Sequence, residues 1–198
     1  MTNLLRPAFA TVGLFTLMLG VAAPLVMTGV AGIAFPREAG GSLVERNGRV
    51  VGSALIGQAF NDPRYFHPRP SATTEADPAN AGATRPAPYN GAASAASQLA
   101  PSSAALLATL RERIAAEGGA MVPADAVTAS ASGLDPHISV ANGLRQVARV
   151  AAARGLPEAR VAALLAEEAQ GPQLGLLGEA RVNVLRLNLA LDRLPGAS

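Results

Sequence analysis

The 198-residue chain contains no cysteine, no tryptophan and no lysine. Without cysteine it has no disulfide, no thiolate metal ligand and no cysteine nucleophile. Without lysine it has neither a Walker-type phosphate loop nor a Schiff base. All 16 basic residues are therefore arginine, and a scattered net charge of +2 does not indicate a nucleic-acid surface.

Aromatic residues make up only 4% of the chain, whereas apolar residues make up 49%. A packed core is therefore expected, and it must be built from Leu, Val, Ile and Ala. The length supports one ordinary domain, or one domain with an appendage.

A 30-residue stretch without a charged side chain lies between Arg6 and Arg37. A helix that spans a bilayer needs roughly 20 apolar residues. A secretory signal has a shorter apolar stretch, of about 7–15 residues, and a stronger basic head than Arg6 alone. A cleaved signal stays open, because Val21-Ala22-Ala23 resembles a cleavage site. The length favours an uncleaved anchor over residues 1–36.

Small side chains recur at spacings of three and four in this segment. They are Gly13, Thr16, Gly20, Ala23, Met27 and Ala31. Such a stripe lets another transmembrane helix approach closely, which makes Gly13 and Gly20 candidate partner contacts. Chance is an equal explanation, because the whole chain is rich in Ala and Gly. Pro24 predicts a kink, which lipid-embedded helices tolerate.

The charges do not fix the orientation of this helix. Arg6 precedes it, whereas Arg37, Arg46 and Arg49 follow it. That distribution slightly favours a cytoplasmic C-terminal part, but long domains translocate largely regardless of such a bias.

Residues 37–198 are interpreted as one soluble domain. The β-branched, glycine-punctuated sequence predicts strands around residues 43–57. Residues 61–101 are rich in Pro, Ala, Ser, Asn and Gly and form a long loop, either ordered and functional or mobile. Tyr65, Phe66 and Tyr89 within it suggest that the loop is pinned onto something.

Three helices are predicted downstream from their end signals. Ser102 or Ser103 caps the first, which ends at Gly118-Gly119. Its shared apolar face is Leu106, Leu107, Leu110 and Ile114. Ser139 caps the second and Gly155 ends it. Its inward residues are Leu144, Val147, Val150 and Ala151.

Pro157 suits the first turn of the third helix, which runs through Val161, Leu164 and Leu165 to Gly171-Pro172. The last run, residues 182–191, alternates leucines like a strand. Val184, Leu185, Asn188 and Leu191 also make a helical face. The mixture predicts an α+β fold: one transmembrane helix, then a small mixed domain.

No residue pattern indicates a metal site or a catalytic centre. A metal site would need His67 and His137 together with carboxylates such as Asp62 or Asp135, from distant segments and without zinc-type spacing. Residues 132–137 hold Ser, Asp and His in sequence, whereas hydrolase triads assemble from separate elements. A tight turn that leads into the helix capped by Ser139 is the better interpretation.

Gln146 and Arg149 lie one helical turn apart and are placed to grip an anion together. A solvated helix face is the more common reason for such a pair. Glu167 and Glu168 are adjacent on a helix, so they point to different sides and do not form an acid–base pair.

Several motifs in order resemble one family. They are Gly52 to Gln58, Tyr65-Phe66-His67-Pro68-Arg69-Pro70-Ser71, Tyr89-Asn90, Thr128 to Ser139, Gln146 to Gly155, Gly178 and Arg181 to Leu185. Together with the N-terminal span, they resemble the C subunit of the bacterial high-affinity potassium-transporting ATPase, KdpC. The likeness covers nearly the whole chain. Each motif alone is weak, but the ordered set is specific.

The resemblance implies a non-catalytic accessory subunit in the bacterial cytoplasmic (inner) membrane. Its partners would be a potassium-binding membrane subunit and an ATP-hydrolysing P-type subunit. It would support assembly and raise the ATP affinity of the hydrolysing subunit as a catalytic chaperone. ATP and K⁺ would be handled by the complex, and this chain would hold no cofactor of its own.

The resemblance also links Gln146 and Arg149 to nucleotide contact. The resemblance further implies that the small soluble domain is extracytoplasmic. Such a domain meets little ATP, so conformational coupling is the preferred route. Arg64, Tyr65, Phe66 and Arg69 are candidate partner contacts, because their types are favoured at interfaces. Tyr65 and Phe66 are equally suited to fill the core.

Two other classes of function stay open. One is a membrane-anchored periplasmic enzyme that uses Ser132 or His137. The other is a free-standing solute-binding module. Turnover on generic esters by the soluble domain would support the first, and stabilisation by a small ligand the second.

Overall fold

The computed structural model describes residues 2–119 and 121–194. Its contacts divide into two units, Met1–Ser53 and Ala54–Ser198. The first unit begins with a helical segment: α1 (Thr2–Leu17), a π-helical turn (Met18–Ala22) and α2 (Ala23–Ala34). Within the described residues, Leu4–Ala34 is the one helix long and apolar enough to cross a membrane, with a mean hydropathy of 2.0 and no buried part.

Pro24 affects this helix through the π-helical turn that precedes it. A proline inside an α-helix lacks an N–H, and its ring collides with the carbonyl four residues earlier, here that of Gly20. In the structure the Ala23 N–H donates to the Met18 carbonyl, five residues back. The wider turn is how the helix accommodates the proline.

The first unit ends with a short helix and a hairpin. Helix α3 (Pro36–Ala39) leads into strands β1 (Leu43–Arg46) and β2 (Arg49–Ser53), which pair antiparallel. Asn47 and Gly48 between them both have positive φ, 53° and 72°, as the tight Asn-Gly hairpin turn requires. The predicted strands are confirmed as far as residue 53, and a turn follows.

The second unit is a mixed α+β assembly. Its strands are β3 (Thr74–Ala76), β4 (Thr84–Pro86), β5 (His137–Ser139), β6 (Ala169–Gln170) and β7 (Arg181–Asn183). Its helices are α4 (Ala104–Ala116), α5 (Ala124–Val127), α6 (Val140–Arg154), α7 (Glu158–Glu168) and α8 (Val184–Leu191). Strands β3 and β4 form a hairpin, and an antiparallel sheet has the order β5-β7-β6.

The core lies where α6, α7 and α8 pack with β5 and β7. Its buried members are Phe66, Ile138, Val147, Val150, Ala151, Val161, Leu165, Val182, Val184, Leu187 and Leu191. Gly143 lets α6 approach α7, because a Cβ at this position would stand 2.7 Å from Cδ1 of Leu165. As expected from the composition, the core is aliphatic, and Phe66 is its single aromatic member.

Local end signals located helix α6 correctly. The Ser139 hydroxyl accepts a hydrogen bond from the Asn142 N–H, and Gly155 ends the helix with a φ of 63°. Val147, Val150 and Ala151 are buried as predicted. Leu144 was predicted to point inward, and this is wrong: it is 53% exposed. It stands three residues before Val147, at the edge of the helix face that reaches the core.

The first predicted helix is confirmed as α4, but Leu107 does not belong to its inner face and is 47% exposed. The third helix, α7, is confirmed but ends at Glu168, because Ala169 and Gln170 pair with β7. The ambiguous last run contains both elements. Strand β7 ends at Asn183, whose side chain caps α8 by accepting from the Arg186 N–H.

Phe66 is fully buried, with an exposed fraction of 0%. Its prediction as a direct partner contact is therefore corrected to the alternative, a core residue. Phe66→Ala should lower the free energy of unfolding by about 3–5 kcal/mol, because it leaves a cavity in a close-packed core. Thermal unfolding of the full chain in mild detergent, followed by circular dichroism, measures this. Leu144→Ala is the exposed control, and equal losses in both variants would contradict the placement of Phe66.

Candidate functional site

The central feature of the second unit is residues 62–71, called here the clamped loop. The Phe66 N–H donates to Oδ1 of Asn188 at 2.9 Å, and Nδ2 of Asn188 donates to the Phe66 carbonyl at 3.0 Å. The next residue, His67, repeats the pattern with Gln146. The His67 N–H donates to Oε1 of Gln146 at 2.8 Å, and Nε2 of Gln146 donates to the His67 carbonyl at 3.1 Å. Two buried carboxamides, on α8 and α6, thus take the place of neighbouring strands.

Two arginines donate hydrogen bonds to further carbonyls of the clamped loop. Arg149 donates to the Pro63 and Tyr65 carbonyls at 2.6 and 3.0 Å. Arg154 donates to the Arg64 carbonyl at 2.7 Å, and its guanidinium lies 4.8 Å from the centre of the Tyr65 ring. A guanidinium suits this task because its five N–H groups reach several carbonyls at once.

The far end of the clamped loop is fixed by a second set of contacts. Arg69 forms an ion pair with Asp135 at 2.8 Å, and the Tyr89 hydroxyl donates to the Arg69 carbonyl. The Ser71 hydroxyl donates to the Gly133 carbonyl at 2.7 Å. These contacts fix residues 63–71 against the second half of the chain, which favours the ordered alternative for this part of the long loop.

Asp135 is the most strongly perturbed carboxylate of this region. Burial alone would raise its pKa, yet hydrogen bonds from His137 and the Arg69 guanidinium outweigh burial and lower the pKa to about 2. The Asp135 carboxylate also accepts the His137 N–H at 3.0 Å, which closes the turn predicted from the sequence. Asp135 is a structural anion.

A cavity of about 350 Å³ borders the clamped loop. Its polar lining is His67, Glu117, Asn142, Arg145, Gln146 and Arg149. Within this lining, Arg145 pairs with Glu117 at 2.7 Å. Burial and the nearby Arg149 lower the pKa of His67, so the ring is neutral at neutral pH. Burial also lowers the pKa of Arg149, which nevertheless stays charged. The cavity is thus basic on balance.

Gln146 is fully engaged inside the fold. Its Nε2 donates to the His67 carbonyl and to Oδ1 of Asn142, and its Oε1 accepts from the His67 N–H and Arg149. Asn142 in turn donates to Asp125, which also accepts from Ser139. Gln146 and Arg149, which were predicted to grip an anion together, hydrogen-bond each other at 2.7 Å and both contact the clamped loop. Their contact with nucleotide stays a prediction.

The candidate partner contacts fall into two groups. Arg64, Tyr65, Phe66 and Arg69 all belong to the clamped loop. Among them the Arg64 side chain is 60% exposed and pairs with Asp62, whereas the Arg69 side chain is 20% exposed. Gly13 and Gly20 lie on the exposed N-terminal helix, where an added Cβ would meet no atom closer than 3.9 Å.

The residues of the enzyme alternative serve the turn before β5. The Ser132 hydroxyl accepts the Leu134 N–H at 3.1 Å, and Nδ1 of His137 lies 3.4 Å from Asp135. Across residues 2–119 and 121–194, no three His, Asp or Glu side chains gather as metal ligands do.

The roles of Asn188 and Arg154 in holding the clamped loop were not predicted from the sequence. Asn188 offered a signal, because it is a polar residue within an otherwise apolar helix face and is 2% exposed. A buried polar side chain requires a partner. Arg154 offered none, because its partners lie far away in the sequence.

A long exposed apolar helix that precedes an α+β unit is typical of a membrane-anchored protein, and within the described residues it is the one candidate span. The family model described as "K+-transporting ATPase, c chain" (KdpC) matches residues 5–193. A Methylobacterium nodulans protein named potassium-transporting ATPase KdpC subunit is 58% identical over 196 residues, which cover 97% of this chain and 98% of the relative. The Methylorubrum populi relative of that name is 55% identical over 194 residues, covering 96% of each chain.

A third relative of the same name, from Rhodopseudomonas palustris, is 53% identical over 192 residues that cover 95% of this chain and 96% of its own. The chain belongs to the KdpC family of K⁺-transporting ATPase subunits, which confirms the resemblance.

Gln146→Met should lower the free energy of unfolding by about 1–3 kcal/mol, because it leaves the half-buried N–H and carbonyl of His67 without this partner while keeping the side-chain volume. Thermal unfolding of the full chain in detergent measures the loss. Gln173→Met is the control, since Gln173 is exposed. A Gln146→Met protein as stable as the control would show that the carboxamide does not hold the loop.

The ion pair of Asp135 predicts a loss of stability in acid. The folded pKa of about 2 lies below the ordinary 3.8, so the stabilisation is present above about pH 4 and is lost as the pH falls towards 2. At about 1.4 kcal/mol per pKa unit, the term amounts to about 2 kcal/mol. The difference in unfolding free energy between the wild type and Asp135→Asn should shrink by this amount across that range. Glu112→Gln, at an exposed position in the middle of α4, is the control. A constant Asp135→Asn difference would contradict the assignment.

Proposed function

We propose that the chain is a non-catalytic accessory subunit of an ATP-driven potassium uptake complex, which it helps to assemble and stabilise. Its partners are a potassium-binding membrane subunit and an ATP-hydrolysing P-type subunit. The observation that carries the proposal is the near full-length likeness to proteins named KdpC subunit. The contacts of Gln146, Arg149 and Asp135 agree with a non-catalytic role, because all three side chains form hydrogen bonds or ion pairs within the fold.

The proposed location is the bacterial cytoplasmic membrane, with Leu4–Ala34 as the single span and residues 37–198 as the extracytoplasmic domain. The absence of cysteine is compatible with an oxidising compartment. Membrane insertion also accounts for the composition of the helix, since every large apolar side chain described along it would otherwise face water.

The finer role proposed is that of a catalytic chaperone that raises the ATP affinity of the P-type subunit. Conformational coupling is the favoured route, because an extracytoplasmic domain meets little ATP and coupling requires no nucleotide contact. The engagement of Gln146 within the clamp supports this choice, since a nucleotide would have to displace its hydrogen bonds. Direct contact through Gln146 and Arg149 would use the basic cavity.

The test is recovery of the complex through the tagged chain in mild detergent, with assay of potassium-stimulated ATPase activity. Wild type should retain both partner subunits. Gly20→Leu should lower their recovery severalfold, because it fills the close-approach surface of the helix. Gly29→Leu is the matched control, because Gly29 lies outside the stripe on the same membrane helix and is also open to an added Cβ.

A wild-type chain that purifies alone from cells expressing the transporter would overturn the accessory-subunit proposal. Equal recovery with Gly20→Leu and Gly29→Leu, both inserted normally, would leave the subunit role intact but remove the stripe as its contact.

A further inference from the structure

Helix α4 provides one wall of the cavity that borders the clamped loop. Residues 116–118 at its C-terminal end line the cavity, and α6 contributes the two lining arginines, Arg145 and Arg149. His67 of the clamped loop is also part of the lining. Because the end of α4 is a wall of the cavity, a displacement of α4 would open the cavity to solvent.

The same helix contributes little to the core of the second unit. None of the 13 residues of α4, all of which the structure describes, is buried, whereas α6 and α7 both have buried residues. Gly118 and Gly119 follow the helix with φ values of 90° and 104°. An element with little buried apolar surface opens locally without unfolding of the whole domain. Helix α4 is therefore suited to move while the core stays intact.

Glu117 links the end of α4 to the charges of the cavity. Its carboxylate pairs with Arg145 at 2.7 Å, and the two side chains are 40 and 29% exposed. Glu117 is the C-terminal cap residue of α4, where the helix dipole opposes a negative charge. Burial lowers the pKa of Arg149, and the Glu117 carboxylate opposes this effect. Glu117 thus gains its stabilisation from the arginines of the cavity and not from its own helix.

We propose that α4 is a lid on the cavity, held closed by the ion pair of Glu117 with Arg145. In the closed state, the Glu117 carboxylate occupies the position at Arg145 that an external oxyanion would take. Opening the lid removes Glu117, the one carboxylate among the lining residues, and leaves two guanidinium groups. A guanidinium matches the oxygens of a phosphate group, so a phosphate group is the ligand of the open state. This lid is a property of the chain alone and does not rest on the proposed function.

The two histidines of the chain provide a test of the lid. His67 lines the cavity, whereas His137 on β5 is not among the lining residues. Diethyl pyrocarbonate modifies neutral imidazole, and the chain has no lysine or cysteine that would compete for it. In the full chain in mild detergent, Glu117→Gln should speed the modification of His67 about threefold, because a partly exposed ion pair is weak and its loss raises the open population by that order. Mass spectrometry of the peptides should show an unchanged rate at His137.

Two further variants separate the ion pair from other effects of substitution. Glu112→Gln, at an exposed position of the same helix, should change neither rate. The exchange of both partners, Glu117→Arg with Arg145→Glu, rebuilds the ion pair in the reverse sense. It should return the His67 rate to within about twofold of the wild type.

Binding of inorganic pyrophosphate tests the competition for Arg145. Calorimetric titration at constant ionic strength should give about tenfold tighter binding to Glu117→Gln than to the wild type or Glu112→Gln, because the internal anion no longer competes. The exchanged double variant should lose binding, since its cavity combines one guanidinium with one carboxylate. Parallel titration with micelles that contain phosphatidylglycerol distinguishes a lipid phosphate from a soluble one, according to which of the two gives the tighter binding.

Three outcomes would overturn the lid. A His67 rate unchanged by Glu117→Gln would show that the ion pair does not hold α4 in place. Equal acceleration at His67 and His137 would show that the substitution loosens the whole domain. Equal binding of pyrophosphate and of the lipid micelles by Glu117→Gln and Glu112→Gln would show that Glu117 does not compete with a phosphate group.

Discussion

Phe66 and His67 are consecutive residues of an irregular segment. In each, the backbone N–H and the carbonyl are both hydrogen-bonded to one side-chain carboxamide. Buried backbone groups need partners, and an irregular segment has no strand neighbour to supply them. Asn188 and Gln146 supply them from two helices. Only with these bonds in place can Phe66 enter the core between those helices, and the arginine contacts of α6 then hold the flanking carbonyls.

How far the sequence predicts this structure depends on the range of the interaction. Ser139 and Gly155 act on their own neighbours, so the limits of α6 were readable. The last run was ambiguous because it contains a three-residue strand followed at once by a helix, and Asn183 serves both as strand end and as cap. The clamp was not readable, because its partners are 79 and 122 residues apart in the sequence. The spacing of Gln146 and Arg149 placed them one helical turn apart, but it did not indicate that both contact the clamped loop.

Arginine side chains provide the long-range links in the second unit that a lysine or a disulfide provides in other proteins. Arg149, Arg154 and Arg69 each join segments distant in sequence, through carbonyls or carboxylates. A planar guanidinium serves several acceptors in fixed geometry, whereas an ammonium group is a single point charge. The long loop is therefore cross-linked without covalent bonds, in a chain that has no cysteine with which to form them.

The π-helical turn at Met18–Ala22 changes the direction in which side chains point before and after it along the membrane helix. An α-helix turns by about 100° per residue, and a single wide turn accommodates one extra residue, so everything after it is rotated by about that angle. Gly13 and Ala31, which share one line in an uninterrupted helix, are therefore offset. Small side chains before the turn therefore face a different direction from those after it, so a single straight neighbouring helix cannot follow both halves of the segment.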